Sequence, residues 1–214
     1  MNKPDMGGWS WAKVGNSAAA RAAAVAFIGI GALWAYFRGD EVSTAQESSE
    51  HVRGPLQLVT SLQGARLGQT LAELAATHGP FEKQPVRPEV VRKYAGEEEY
   101  LQKRGPLRLV VREGFIRSLF YPCGQGKDVS MVNNVACHGS GDTIRKVFGE
   151  NVRVLCAKVK PNDPDRAMAP HVRAYDAVRY GTRYIVVKDV VQAFIVMDPE
   201  ELESLVGFNW EECG

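Results

Sequence analysis

A stretch of the chain between residues 55 and 197 is written twice, and no other feature limits the fold as strongly, because both copies must bury their apolar positions along the same lines. The first copy carries Gly68-Gln69-Thr70-Leu71-Ala72-Glu73-Leu74 and is closed by His78-Gly79. The second carries Gly141-Asp142-Thr143-Ile144-Arg145-Lys146-Val147 and is closed by Phe148-Gly149. In each, a polar residue and a threonine open a short run with helical spacing and a glycine ends it, which is the chemistry of a capped helix start and a glycine stop. Further on, Val91-Arg92-Lys93-Tyr94 answers Val172-Arg173-Ala174-Tyr175. Arg104-Gly105-Pro106-Leu107-Arg108-Leu109-Val110-Val111 then answers Tyr180-Gly181-Thr182-Arg183-Tyr184-Ile185-Val186-Val187. Both copies end in β-branched and aromatic runs, Phe115-Ile116-Arg117-Ser118-Leu119-Phe120-Tyr121 and Val190-Val191-Gln192-Ala193-Phe194-Ile195-Val196, entered through the turn pairs Glu113-Gly114 and Lys188-Asp189.

Each copy reads as a helix followed by an antiparallel meander, with the helix on one face of the sheet. The predicted class is therefore α+β, two similar helix-plus-meander units over residues 55–122 and 123–197. Loops fall at matching places, at residues 83–88 and around Pro161-Asn162-Asp163-Pro164-Asp165, where proline prevents a ladder or a helix from continuing. Residues 198–214 form a tail that opens as a helix, Asp198-Pro199-Glu200-Glu201, with proline in its first turn and carboxylates at its positive end.

Ahead of the repeats, residues 17–37 are apolar on every side, and as a helix they rise about 31 Å, close to the hydrocarbon thickness of a bilayer. The segment reads as a single transmembrane helix, with Ala22, Phe27, Ile30, Leu33, Trp34 and Tyr36 against lipid or its interface and Arg21 snorkelling from the near end. Gly31 and Ala35 add a small pair at helical spacing. Residues 1–16, with Trp9 and Trp11, form a cytoplasmic or interfacial leader, and the polar, acidic residues 38–54 form a linker. Lys3, Lys13 and Arg21 precede the run while Asp40, Glu41, Glu47 and Glu50 follow it. Positive-inside logic then keeps the amino terminus in the cytoplasm and sets the repeats on the periplasmic side of an inner membrane. The alternative is a cleaved signal peptide, ending near Ser43-Thr44-Ala45, that releases a secreted protein.

The arrangement of the quoted motifs, glycine and threonine before a helix, then a long loop, a tyrosine strand and two apolar strands, resembles the BamE/SmpA-like envelope domains. In being doubled it resembles the β-lactamase inhibitory proteins. The resemblance covers most of residues 55–197 and implies an exported module that binds other proteins with its sheet and loops and has no catalytic residues. The chain departs from the lipoprotein members, since no cysteine occurs before Cys123 to carry a lipid.

Composition and motifs narrow the function by exclusion. With 26 basic and 25 acidic residues the net charge is +1, so there is no bulk field to recruit nucleic acid. Cys123, Cys137, Cys156 and Cys213 are candidates for two disulfides, with all three connectivities open, and their spacing fits no zinc motif. No catalytic signature, Walker loop or dinucleotide fingerprint is present, and no cofactor is implied. Gly124-Gln125-Gly126-Lys127 lacks the spacing of a phosphate loop, and Glu97-Glu98-Glu99 has no second acidic cluster to complete a cation site. Cys137-His138 offers a nucleophile and a base for a hydrolase, although neighbours on an extended chain point to opposite faces. Arg92, Lys93, Lys103, Arg104 and Arg108 form a basic patch that suits either a solvated sheet face or an acidic partner. The expectation is a membrane-anchored, non-catalytic envelope protein, an accessory subunit that binds other envelope or integral membrane proteins and meets lipid through one helix.

Overall fold

The computed structural model describes residues 55–85, 95–124, 130–158, 169–205 and 210–213. Each half begins with a small hairpin, β1 (Ser61–Leu62) with β2 (Ala65–Arg66), and β7 (Met131–Val132) with β8 (Val135–Ala136). Gln63-Gly64 and Asn133-Asn134, at the two tips, all have positive φ, the two-residue turn whose twist matches that of paired strands. Each hairpin leads into an eight-residue helix, α1 (Leu71–His78) or α2 (Gly141–Phe148). Thr70 caps α1 in a reciprocal box with Glu73, and Ser140 caps α2 through the Thr143 amide. Gly79 and Gly149 close the two helices, both at positive φ.

The strands that follow are β3 (Phe81–Lys83), β4 (Glu98–Gln102), β5 (Arg108–Arg112) and β6 (Phe115–Pro122) in the first half. In the second half they are β9 (Arg153–Ala157), β10 (Val172–Ala177), β11 (Thr182–Val187) and β12 (Val190–Met197). A short helix α3 (Pro199–Glu203) and a last strand β13 (Trp210–Glu212) complete the described chain. All of these strands join one nine-stranded antiparallel sheet in the order β13-β9-β10-β11-β12-β6-β5-β4-β3. The halves meet where Phe194 of β12 pairs with Tyr121 of β6 and Ile195 pairs with Phe120.

This sheet corrects the α+β class and the picture of two separate helix-plus-meander units: the structure is mainly β and its strands form one continuous layer. The reason lies in the last strand of each half. Both β6 and β12 bury consecutive residues and so are apolar on both faces. Such strands belong in the middle of a sheet, and pairing them spares each an exposed apolar edge. The transmembrane, single-pass and inner-membrane expectations are also corrected, because no helix among the described residues is long and apolar enough to cross a membrane. Residues 17–37 themselves, with Ala22, Phe27, Ile30, Leu33, Trp34 and Tyr36, lie outside the described residues.

The order hairpin, helix, four strands does recur along the chain, but in a different register from the one the motifs imply. β6 and β12 carry bulges at matching points, at Arg117 and Gln192, opposite the Val110-Val111 step of β5 and the Ile185-Val186 step of β11. Aligned on the bulges, Arg108 matches Arg183, Tyr100 matches Tyr175 and Leu101 matches Asp176. The helix starts match at Thr70 and Ser140, each forming an isolated bridge to the first residue of its half's last strand, Phe115 or Val190. The pairing of Gly68 with Gly141 is therefore displaced by one helical turn, and Tyr94 gives way to Tyr100. Gly141 lies inside α2 against the Tyr175 hydroxyl and Asp189, where a Cβ would come within 2.5 Å and 2.7 Å.

Two apolar clusters flank the sheet. One lies under α1, α2 and the hairpins and runs through both halves, from Leu74 and Leu109 to Ile144, Phe148 and Tyr184. The other lies on the opposite face and belongs almost wholly to the second half: Leu155, Ala174, Ile185, Ile195, Leu202 and Trp210, joined from the first half by Phe120.

Candidate functional site

Sheet pairing decides which side chains share the face opposite the helices, because residues directly opposite in antiparallel strands project to the same side. In the second half this face carries a charged network that is out of solvent. Asp176 and Arg183 stand opposite each other on β10 and β11, buried to 1% and 3% exposure. Their contact is bidentate, Nε to Oδ1 at 2.6 Å and Nη2 to Oδ2 at 2.8 Å, the geometry that best repays desolvation of two charges. Arg153 on β9 lies 3.7 Å from the same carboxylate and donates to Glu203 of α3 at 2.8 Å. The Trp210 ring covers the Arg183 guanidinium at 5.3 Å.

This half of the face is closed over by the end of the chain. Asp198 caps α3 by accepting from the Glu200 amide, and Pro199 follows as its first helical residue. α3 then sets Leu202 against the sheet with no exposed surface and sends Glu203 to Arg153 on one side and Glu201 to Arg112 on the other. β13 returns along β9, pairing Trp210 with Ala157, and the Cys156–Cys213 disulfide fastens it there.

The first half presents the same face with no covering element among the described residues. Glu99, Leu101, Arg108, Val110, Arg112, Ser118 and Phe120 line it, all but the last two half-exposed. Phe120 is buried because the Arg108 guanidinium lies 5.8 Å over its ring, and Arg112 closes the border by its ion pair with Glu201. A small open depression runs between Glu99, Arg108, Val110, Ser118 and Phe120. Where Arg183 faces Asp176 across the strands, Arg108 faces Leu101. This half of the face thus presents Arg108, Arg112, the Glu99 carboxylate and half-exposed aliphatic groups on one sheet surface.

No family model, curated protein or solved structure matches this chain. The resemblance to BamE/SmpA-like domains rests on the quoted motifs alone.

Of the basic patch, Arg108 lies on the open face, Lys103 and Arg104 are exposed in the turn before it, and Arg92 and Lys93 lie outside the described residues. The cysteines pair as Cys123–Cys137 and Cys156–Cys213. Cys137 therefore has no free thiol to act as a nucleophile, which removes the hydrolase reading. The neighbouring His138 is held at positive φ, its Nε2 2.7 Å from the Gly124 carbonyl oxygen, so its ring is part of the loop scaffold. The three consecutive glutamates are dispersed by the strand alternation: Glu98 pairs with Lys83 and accepts from Tyr100, Glu97 lies 3.9 Å from Arg112, and Glu99 looks onto the open face. The Glu98 carboxylate, accepting from the Tyr100 hydroxyl, holds that phenol above the ordinary tyrosine range.

The motifs did not disclose Arg112, Asp176, Arg183 or Trp210. The Asp176–Arg183 pair could have been suspected from opposite charges on neighbouring strands of one copy. What the one-residue displacement obscured is the correspondence of Arg183 with Arg108, since the motifs set Arg183 against Leu107.

Proposed function

We propose that this chain is a non-catalytic protein-binding module, an accessory component working in a compartment that keeps cysteines oxidised, and that the open face of β4, β5 and β6 is its docking surface. One observation carries the reading: two halves built on the same element order differ in that α3 and β13 cover one face, while no element among the described residues covers the matching face. A preformed sheet face with arginine and aliphatic groups suits a partner, since aromatic and arginine side chains dominate binding energy and a preformed surface loses little entropy on docking. The two disulfides support the compartment, because such bonds persist where thiols are not kept reduced.

The test is a photo-crosslinking amino acid introduced at Val110 or Leu101 on the open face and, as control, at Arg173 on the helix side of the second half. The variants are expressed in the source cells. The same discrete adducts from Val110 and Leu101, absent from Arg173, are expected. No adduct from the open face, or the same adducts from all three positions, would overturn the reading.

A further inference from the structure

The two disulfides differ in where they lie. Cys123–Cys137 is inside the apolar cluster under the helices, with Cys123 showing no surface and Cys137 only 6%. Cys156 and Cys213 are both half-exposed, and their bond sits at the margin of the sheet, where β13 is the outermost strand. Thiol–disulfide exchange requires a thiolate to reach a sulfur, so its rate follows access. Only the second bond offers that access.

What this bond holds is small. β13 pairs with β9 over three positions, Trp210 with Ala157, Glu211 with Cys156 and Glu212 with Leu155. Leu155 and Ala157 belong to the cluster on the face opposite the helices, so Trp210 and Glu212, directly across from them, project there, while Glu211 and Cys213 project to the helix side. β13 is therefore clamped from both faces of the sheet, by the Trp210 ring over Arg183 on one and by the disulfide on the other. Trp210 is the one buried residue of the strand, and Glu211 and Glu212 are exposed. α3 has a separate hold, through Leu202 with no exposed surface and through the ion pairs of Glu201 and Glu203. Without the disulfide, α3 keeps its contacts and β13 is left with one ring and a three-position ladder at a sheet margin, the kind of contact that opens locally.

We propose that Cys156–Cys213 is a redox latch: a dithiol reductant opens it in the folded protein while Cys123–Cys137 stays closed, and β13 then leaves β9. One thiolate of the dithiol bonds to one latch sulfur and expels the other as a thiolate; the second thiolate of the dithiol then breaks the mixed disulfide and expels the first. The protein bond takes up two electrons and two protons and ends as two thiols, and the dithiol ends as a disulfide. Opening removes the indole from the Arg183 guanidinium and unpairs the outer edge of β9 at residues 155–157. The reduced form thus carries a strand edge that the oxidised form keeps paired, a template to which an extended segment can add. The latch is closed at rest in an oxidising compartment, and it acts whether or not the face of β4, β5 and β6 docks a partner.

The experiment treats the full chain, with both disulfides verified by mass, with dithiothreitol in the absence of denaturant. Samples are quenched with iodoacetamide, the alkylated cysteines are mapped by mass spectrometry, and amide hydrogen exchange is read in parallel. A species alkylated at Cys156 and Cys213 and still paired at Cys123–Cys137 should form about tenfold or more faster than any species open at Cys123–Cys137. In it, the amides of Trp210–Glu212 that are protected in the oxidised chain should exchange about tenfold or more faster, while those of β10, β11 and β12 keep their protection. The double variant Cys156→Ser with Cys213→Ser should show the same fast exchange with no reductant, and dithiothreitol should not raise it further while Cys123–Cys137 stays paired. Opening of both disulfides at one rate, no opening short of unfolding, or β13 amides as protected in the half-reduced chain as in the oxidised one would overturn the proposal.

Discussion

At the scale of single residues, the Asp176–Arg183 pair carries the most at stake. Both charges are out of water, so removing one strands the other, and loss of one member of such a pair costs about 3–5 kcal/mol. Asp176→Ala should therefore lower unfolding free energy by about that amount in a denaturant titration, while Asp142→Ala, whose carboxylate is exposed, should change it by less than about 0.5 kcal/mol. Tyr184 makes a second prediction. Burial pushes its phenol far above the ordinary range, while in the unfolded chain it ionises near about pH 10. A group whose value is raised by folding stabilises the fold below its unfolded value and loses that contribution as pH rises. The denaturation midpoint should hold up to about pH 10 and fall as pH rises above it, and the fall should be shallower in Tyr184→Phe. Gly141 is fixed by contact rather than by φ: a methyl group there meets Tyr175 and Asp189, and Gly141→Ala should cost about 1–3 kcal/mol.

At the scale of elements, the C-terminal strap decides how the two halves differ. The Cys156–Cys213 bond closes a loop over a sequence separation of 57, and holding such a loop in the unfolded chain is worth about 4 kcal/mol. Cys213→Ser with Cys156→Ser should lower stability by up to about that amount and shift the Trp210 emission to the red as the ring leaves Arg183 and gains water. Much at this scale was legible in the sequence. The helices from Thr70 and toward Gly149, the turn pairs Glu113-Gly114 and Lys188-Asp189, and the proline-opened helix after Asp198 are encoded locally, by caps, positive-φ residues and a missing amide. Register was not legible in the same way. A bulge adds one residue to one strand, and nothing at Arg117 or Gln192 marks it. The shift at Arg183 has a different source: the motifs set Gly105 against Gly181, whereas the ladders on either side of the two turns put Pro106 at the place of Gly181, and this hid the match of Arg108 with Arg183.

At the scale of the whole molecule, the duplicated pattern led toward two α+β units, and the structure instead joins their strands in one sheet. Local signals cannot fix this outcome, because the join between β6 and β12 depends on both strands being apolar on both faces, a property that becomes informative only when an edge has to be avoided. The same join makes the halves unequal. α3 and β13 cover the half from which they emerge. The basic patch read from the sequence touched the open face at Arg108 alone, since its other described members, Lys103 and Arg104, belong to the turn.

The asymmetry of that face is most directly measured by thiol labelling at matched positions. Val110→Cys on β5 and Ile185→Cys on β11 occupy the same place opposite the bulges of β6 and β12, one on the open half and one under the strap. In the native protein, with both disulfides verified, a maleimide should modify Cys at 110 at a rate close to that of an exposed thiol and leave 185 protected until the protein unfolds. Equal protection of the two, or equal reaction, would contradict the account.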